Sequence, residues 1–105
     1  MEKLAWTATV IAGKKDEYIR RHDEVWQSMK DVLTAAGIVN YSIWVTGNTL
    51  FGYYECKHGV AYAEKVQRES KVVDEWNAYM KDVMIMKMDE KTGAQPKLTQ
   101  IFALN

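Results

Sequence analysis

The tight turn Thr46-Gly47-Asn48-Thr49 constrains this chain more than any other segment, because it joins two β-rich runs at residues 38–45 and 49–56. Glycine and asparagine tolerate the positive φ that primed hairpin turns require, so the turn sets this pairing locally. Upstream, Leu4, Trp6, Ala8 and Val10 share one parity and Ala5, Thr7 and Thr9 the other. That alternation reads as a strand with one buried face, closed by Gly13. From Lys14 the period becomes helical. Tyr18, His22, Val25, Trp26, Met29, Val32, Leu33 and Ala36 form one stripe, which predicts a continuous helix with Gly37 as its left-handed cap.

Beyond His58-Gly59 a long helical region runs to about Val83, with Ser70 placed to interrupt it as an N-cap. Residues 87–97 are polar, carry Gly93 and the only proline, Pro96, and read as a loop; Leu98 to Leu104 reads as a last strand. The order β-α-β-β-α-β is the ferredoxin-like pattern, an α+β fold with an antiparallel sheet, here in one domain spanning residues 1–105. Helices cover one face of such a sheet. Trp6, Trp44, Phe51, Tyr53 and Tyr54 are too many large strand aromatics for one covered face. The helix-free face is therefore expected to bury against a second copy, giving a homodimer and a dimeric barrel.

Charge narrows the partners. Lys plus Arg and Asp plus Glu stand at 14 each, a formal net charge of zero. Nucleic acid and anionic membrane surfaces both demand a basic patch, so neither is expected, and a neutral small ligand fits better. The basic residues of the first helix, Lys14, Lys15, Arg20, Arg21 and Lys30, are interspersed with acids and read as a solvated face. Cys56 is the only cysteine, which excludes an intramolecular disulfide and a cysteine metal cluster; it reads as a small buried hydrophobe. The N-terminal run lacks the pattern of a signal peptide, and no stretch has the length of a membrane span. A reducing cytoplasm is the expectation.

The informative constellation is Tyr18, His22 and Trp26, spaced i, i+4 and i+8 along one helix face. Spacing alone favours a core histidine satisfied by a hydrogen bond. Tyr18, however, brings a second proton-capable group to the same face, and an imidazole of ordinary pKa is suited to moving protons at neutral pH. No second histidine lies nearby to make a metal site. On the other helix Trp76, Tyr79, Met80 and Val83 share a face, by default a core one. A flat indole is also what a pyranose ring packs on, and Tyr41 on the second strand is a candidate directional partner for its hydroxyls.

Glu17-Tyr18, then Arg20-Arg21-His22 and Trp26, the Asn40-Tyr41 pair after Gly37, Trp76 followed by Tyr79-Met80-Lys81-Asp82-Val83-Met84, and Ile101-Phe102 together resemble the L-rhamnose mutarotase family. The resemblance covers nearly the whole chain. It implies a dimeric ferredoxin-like enzyme without cofactor or metal that interconverts the α and β anomers of L-rhamnopyranose or a related 6-deoxy sugar. It also implies His22 as the proton donor, acting on the ring oxygen, and Tyr18, Tyr41, Trp76 and Asn77 as sugar contacts. Position 77 departs from the pattern, which has a second tryptophan there. The turn at Gly47-Asn48 is also shorter than the pattern. The general base remains open between Tyr18, a carboxylate and water. Two other classes share this fold: dimeric monooxygenases acting on haem or quinols, and non-catalytic modules that bind a small ligand.

Overall fold

The computed structural model describes residues 1–86 and 96–104. Its elements are β1 (Glu2–Val10), α1 (Lys15–Asp23), α2 (Gln27–Ala35), β2 (Ile38–Thr46), β3 (Thr49–Cys56), α3 (Val60–Arg68), α4 (Lys71–Met80) and β4 (Met84–Ile85). The strands form one antiparallel sheet in the order β2-β3-β1-β4, with the two helical segments packed on one face. This is the expected ferredoxin-like arrangement.

The alternation of β1 decides which face is covered. Leu4, Trp6, Ala8 and Val10 are buried; the first three meet Tyr54, Gly52 and Leu50 across the pair with β3, and Val10 meets Met84 of β4. Gly52 is required there by close approach. A Cβ on it would lie 2.0 Å from Cε2 of Trp6, so the indole occupies the space a side chain would need. From the helices, Tyr18, Met29, Ala63, Val73, Trp76 and Met80 complete the core. Ser70 caps α4 as expected, its hydroxyl accepting from the backbone N–H of Val73 at 3.3 Å, a contact worth about 1 kcal/mol. Gly37 follows α2 with φ of 79°, and Gly47 takes φ of 57° in the hairpin turn. Cys56 is buried on β3.

Three expectations need correction. The predicted single helix from Lys14 to Ala36 is two helices, with Glu24 to Trp26 between them and Trp26 in an extended conformation. No glycine or proline marks the break. Its reason is tertiary: leaving the helix lets the Trp26 ring stack on Tyr79 at 5.3 Å and meet Trp76 edge-on at 5.1 Å. The predicted last strand from Leu98 to Leu104 is not formed. Met84–Ile85 supplies the fourth strand, pairing with Thr9 and Val10, while Lys97 bridges only Trp6 farther along the same edge. The Leu98 N–H still donates to the Ala5 carbonyl at 2.7 Å, but residues 99–104 form no ladder with β1 and stay exposed. Finally, Trp6 and Tyr54 belong to the helix-covered face, so they do not add to the aromatics of the open one. Of the loop expected over residues 87–97, only Pro96 and Lys97 fall within the described residues, so Gly93 lies outside them.

Candidate active site

Between the covered sheet face and the helices lies a cavity of about 660 Å³. Tyr18 and His22 reach it from α1, Tyr41 from β2, and Trp76 and Asn77 from α4. All five residues singled out in the sequence therefore meet in one place, although they come from three separate elements.

Helical spacing sets the first pair. His22 sits one turn after Tyr18, with Nδ1 3.2 Å from the Tyr18 carbonyl oxygen and the two rings 4.4 Å apart. A carbonyl only accepts, so that contact puts the imidazole proton on Nδ1 and leaves Nε2 with a free lone pair. Burial is the largest influence on His22 and lowers its pKa below the usual 6.5; the carbonyl contact and Asp23 oppose it more weakly. Tyr18 is buried, and burial pushes its hydroxyl pKa well above 10, so it keeps its proton. Among the described residues that hydroxyl is the buried side-chain polar atom with no partner. A buried hydroxyl left unsatisfied costs on the order of 1–3 kcal/mol, which a ligand that bonds it removes.

Arg21, next to His22, holds α1 against the end of α4. Its guanidinium donates to the Tyr79 carbonyl at 2.7 Å and to Asp82 at 2.8 Å, and it lies 4.4 Å over the Tyr79 ring. It also donates to Glu17 at 2.7 Å; with Arg20, it holds that carboxyl down to a pKa of about 2. This clasp brings His22 edge-on to Trp76, with ring centroids 5.5 Å apart. Trp76 is buried, with Trp26 against its other contacts, whereas Asn77 is exposed at the cavity edge. Tyr41 is 36% exposed as a whole residue, yet its hydroxyl lies deep, accepting from Nε1 of Trp6 at 3.1 Å. Burial raises its pKa as well.

The cavity has further walls that the sequence did not mark. Met29, Met80, Met84 and Met86 line it with soft apolar surface, and Glu64, Arg68, Asp74 and Lys81 give it polar margins. Periodicity places such methionines in a core. It does not separate a charge at a cavity margin from one facing water. Among the described residues no three His, Cys, Asp or Glu side chains converge to hold a metal ion.

Comparison with known proteins gives one consistent answer. The family model described as L-rhamnose mutarotase matches residues 3–104. An L-rhamnose mutarotase of Listeria monocytogenes is 38% identical over 86 residues, covering 80% of this chain and 81% of its own length. One from Oceanobacillus iheyensis is 32% identical over 107 residues and is covered end to end, as is this chain. The crystal structure of an L-rhamnose mutarotase from Formosa agariphila superposes with a TM-score of 0.80 at 26% identity, covering 100% of both chains.

Proposed function

The chain belongs to the L-rhamnose mutarotase family, and from that premise we propose how the cavity performs the reaction that interconverts the α and β anomers of L-rhamnopyranose. The carrying observation is the pairing of His22 and Tyr18 in that cavity: an imidazole held neutral with Nε2 free, beside a buried hydroxyl that lacks an acceptor.

Mutarotation opens the ring to an aldehyde, lets the first carbon–carbon bond rotate, and closes the ring on the other face of the carbonyl. Opening removes a proton from the anomeric hydroxyl and delivers one to the ring oxygen. The resting His22 is neutral, so its Nε2 takes the anomeric proton on opening and gives it back to the aldehyde oxygen on closure. His22 is thus a proton donor in the closing half of each turnover. Donation from His22 to the ring oxygen is the other route; it starts from an imidazolium, the form that burial disfavours. The Tyr18 hydroxyl, protonated at rest, donates its proton to the ring oxygen as the C–O bond breaks and takes it back from the new hydroxyl as the ring closes. Positioned acid–base groups of this kind contribute roughly 10²–10⁴-fold to a rate.

Trp76 offers the pyranose an apolar platform, Tyr41 a hydrogen bond to a hydroxyl, and Asn77 both a donor and an acceptor at the cavity edge. The sugar's methyl group fits against the methionine wall. Two further parts of this reading rest on the surface. The helix-free face carries exposed Trp44, Phe51 and Ile85, and this supports a homodimer formed through that face. A reduced, buried Cys56 fits a cytoplasmic enzyme.

Saturation-transfer NMR between the α and β anomeric protons tests the proposal. With L-rhamnose, added protein is expected to accelerate exchange far above the buffer rate. No acceleration with L-rhamnose or L-fucose would leave a ligand-binding module and remove the enzyme.

A further inference from the structure

We propose that Asn40, on the side of the sheet away from the cavity, is the positioning residue that turns Tyr41 into the site. The argument rests on strand register and on the reading of Tyr41 as a sugar contact. Val39 pairs with Glu55 and Ser42 with Tyr53, so β2 spends three steps where β3 spends two. One extra residue is accommodated between them, as in a β-bulge. Side chains alternate along a strand, so in an unbroken register Tyr41 would stand opposite Tyr53 on the open face. The bulge reverses that parity at one position. Tyr41 reaches the covered face instead, where its ring lies 5.0 Å from Tyr54 and its hydroxyl meets Trp6. Ser42 and Trp44 resume the outward parity in step with Tyr53 and Phe51.

The local backbone says what makes this possible. Asn40 has φ of 52°, and it is the non-glycine residue among those described with a positive φ. Asparagine is among the few side chains that take this conformation readily. Its amide also donates to Oε1 of Glu55 at 2.6 Å, while Tyr53 donates to Oε2 of the same carboxylate at 2.7 Å. These two contacts hold the Glu55 carboxyl below its usual pKa. The trio of Asn40, Glu55 and Tyr53 thus pins the extra residue outward, and Tyr41 follows inward. A β-branched residue at position 40 opposes both the backbone and the amide contact, whereas glycine keeps the backbone and loses only the amide.

The test reads the Trp6 indole N–H signal by NMR, which reports the seat of Tyr41 without reference to activity, together with KM and kcat for L-rhamnose. Tyr41→Phe defines the displaced signal. Asn40→Val is expected to move the indole signal the same way and to raise KM about fivefold, the size of one lost hydrogen bond, with a smaller change in kcat. Asn40→Gly, which keeps the backbone and loses the amide contact, is expected to move both part of the way. Glu55→Ala, which leaves the backbone of residue 40 alone, is expected to shift the signal in the same direction and serves if Asn40→Val does not fold. An indole signal that stays at its wild-type position in Asn40→Val, or in Glu55→Ala where the former is unfolded, overturns the positioning role. If the signals follow as expected but Tyr41→Phe leaves KM and kcat unchanged, positioning stands and Tyr41 is no sugar contact.

Discussion

The two faces of the sheet come from the same strands and end in opposite conditions. Along β3, Leu50, Gly52, Tyr54 and Cys56 point under the helices and are buried, while Phe51, Tyr53 and Glu55 alternate with them on the other side. The covered face is finished within one chain: its indole rests on a glycine and its deep tyrosine is bonded. What stays open there, the Tyr18 hydroxyl and Nε2 of His22, is open toward a cavity. On the helix-free face Asn40, Tyr53 and Glu55 pair with one another while apolar side chains stand bare, Trp44 being 68% exposed. Unfinished polar groups on one face call for a substrate, and unfinished apolar surface on the other calls for a protein. Ile101, Phe102 and Leu104, almost fully exposed beyond the last strand contact, extend that second condition.

The contrast is broken most severely at Gly52. Gly52→Ala forces a methyl group against Trp6, and overpacking of this kind costs about 3 kcal/mol. Urea unfolding is expected to show that loss, and exchange activity is expected to fall with it because Trp6 holds Tyr41. The matching change on the other face is Trp44→Lys. It leaves the monomer's unfolding midpoint nearly unchanged when extrapolated to low concentration but weakens self-association. One buried tryptophan of an interface is worth about 2 kcal/mol. Light scattering that finds the wild type monomeric at micromolar concentration would remove the second copy from the account.

A pH titration separates the faces chemically. The neutral form of His22 does the work and its folded pKa lies below 6.5, so exchange is expected to be flat above that pH and to fall about tenfold per unit once below the lowered value. Stability follows the same group. In the window between the lowered value and 6.5 the unfolded chain binds more protons, so the contribution is present above 6.5 and is lost as pH falls. An exchange rate that rises on acidification would instead make a resting imidazolium the acid. The smallest effect belongs to Asn77. Asn77→Trp is expected to shift the ratio of exchange rates toward L-rhamnose over L-fucose by a few-fold, about 1 kcal/mol, with stability unchanged because residue 77 is exposed. An unchanged ratio would take Asn77 out of sugar choice.

Much of this was legible in the sequence, and the misses share a cause. The hairpin at Gly47, the cap at Ser70 and the alternation of β1 are encoded within a few residues, and each stands where local chemistry puts it. His22 and Tyr18 were readable because one helical turn separates them. The break before Trp26 was not, since its reason is the distant pair Trp76 and Tyr79. An apolar run such as Leu98 to Leu104 declares β propensity and not a partner, and the strand that does pair with Thr9 and Val10 is two residues, Met84 and Ile85, too few to show a period. Tyr41 is a candidate contact from its residue type alone, and its route into the cavity depends on an extra residue visible only in the pairing of β2 with β3.

The central claim is that His22 exchanges a proton with the bound sugar, and its removal tests this most directly. Anomer exchange of L-rhamnose would be measured on His22→Ala at neutral pH, with its fold checked by circular dichroism and thermal melting. The account predicts a folded protein whose exchange is slower by roughly 10²–10⁴-fold, the share of a positioned acid–base group. It also predicts a melting temperature lower by only several degrees, because the half-buried imidazole makes one hydrogen bond, to the Tyr18 carbonyl, worth about 1 kcal/mol. A folded His22→Ala protein that exchanges anomers at the wild-type rate would contradict it.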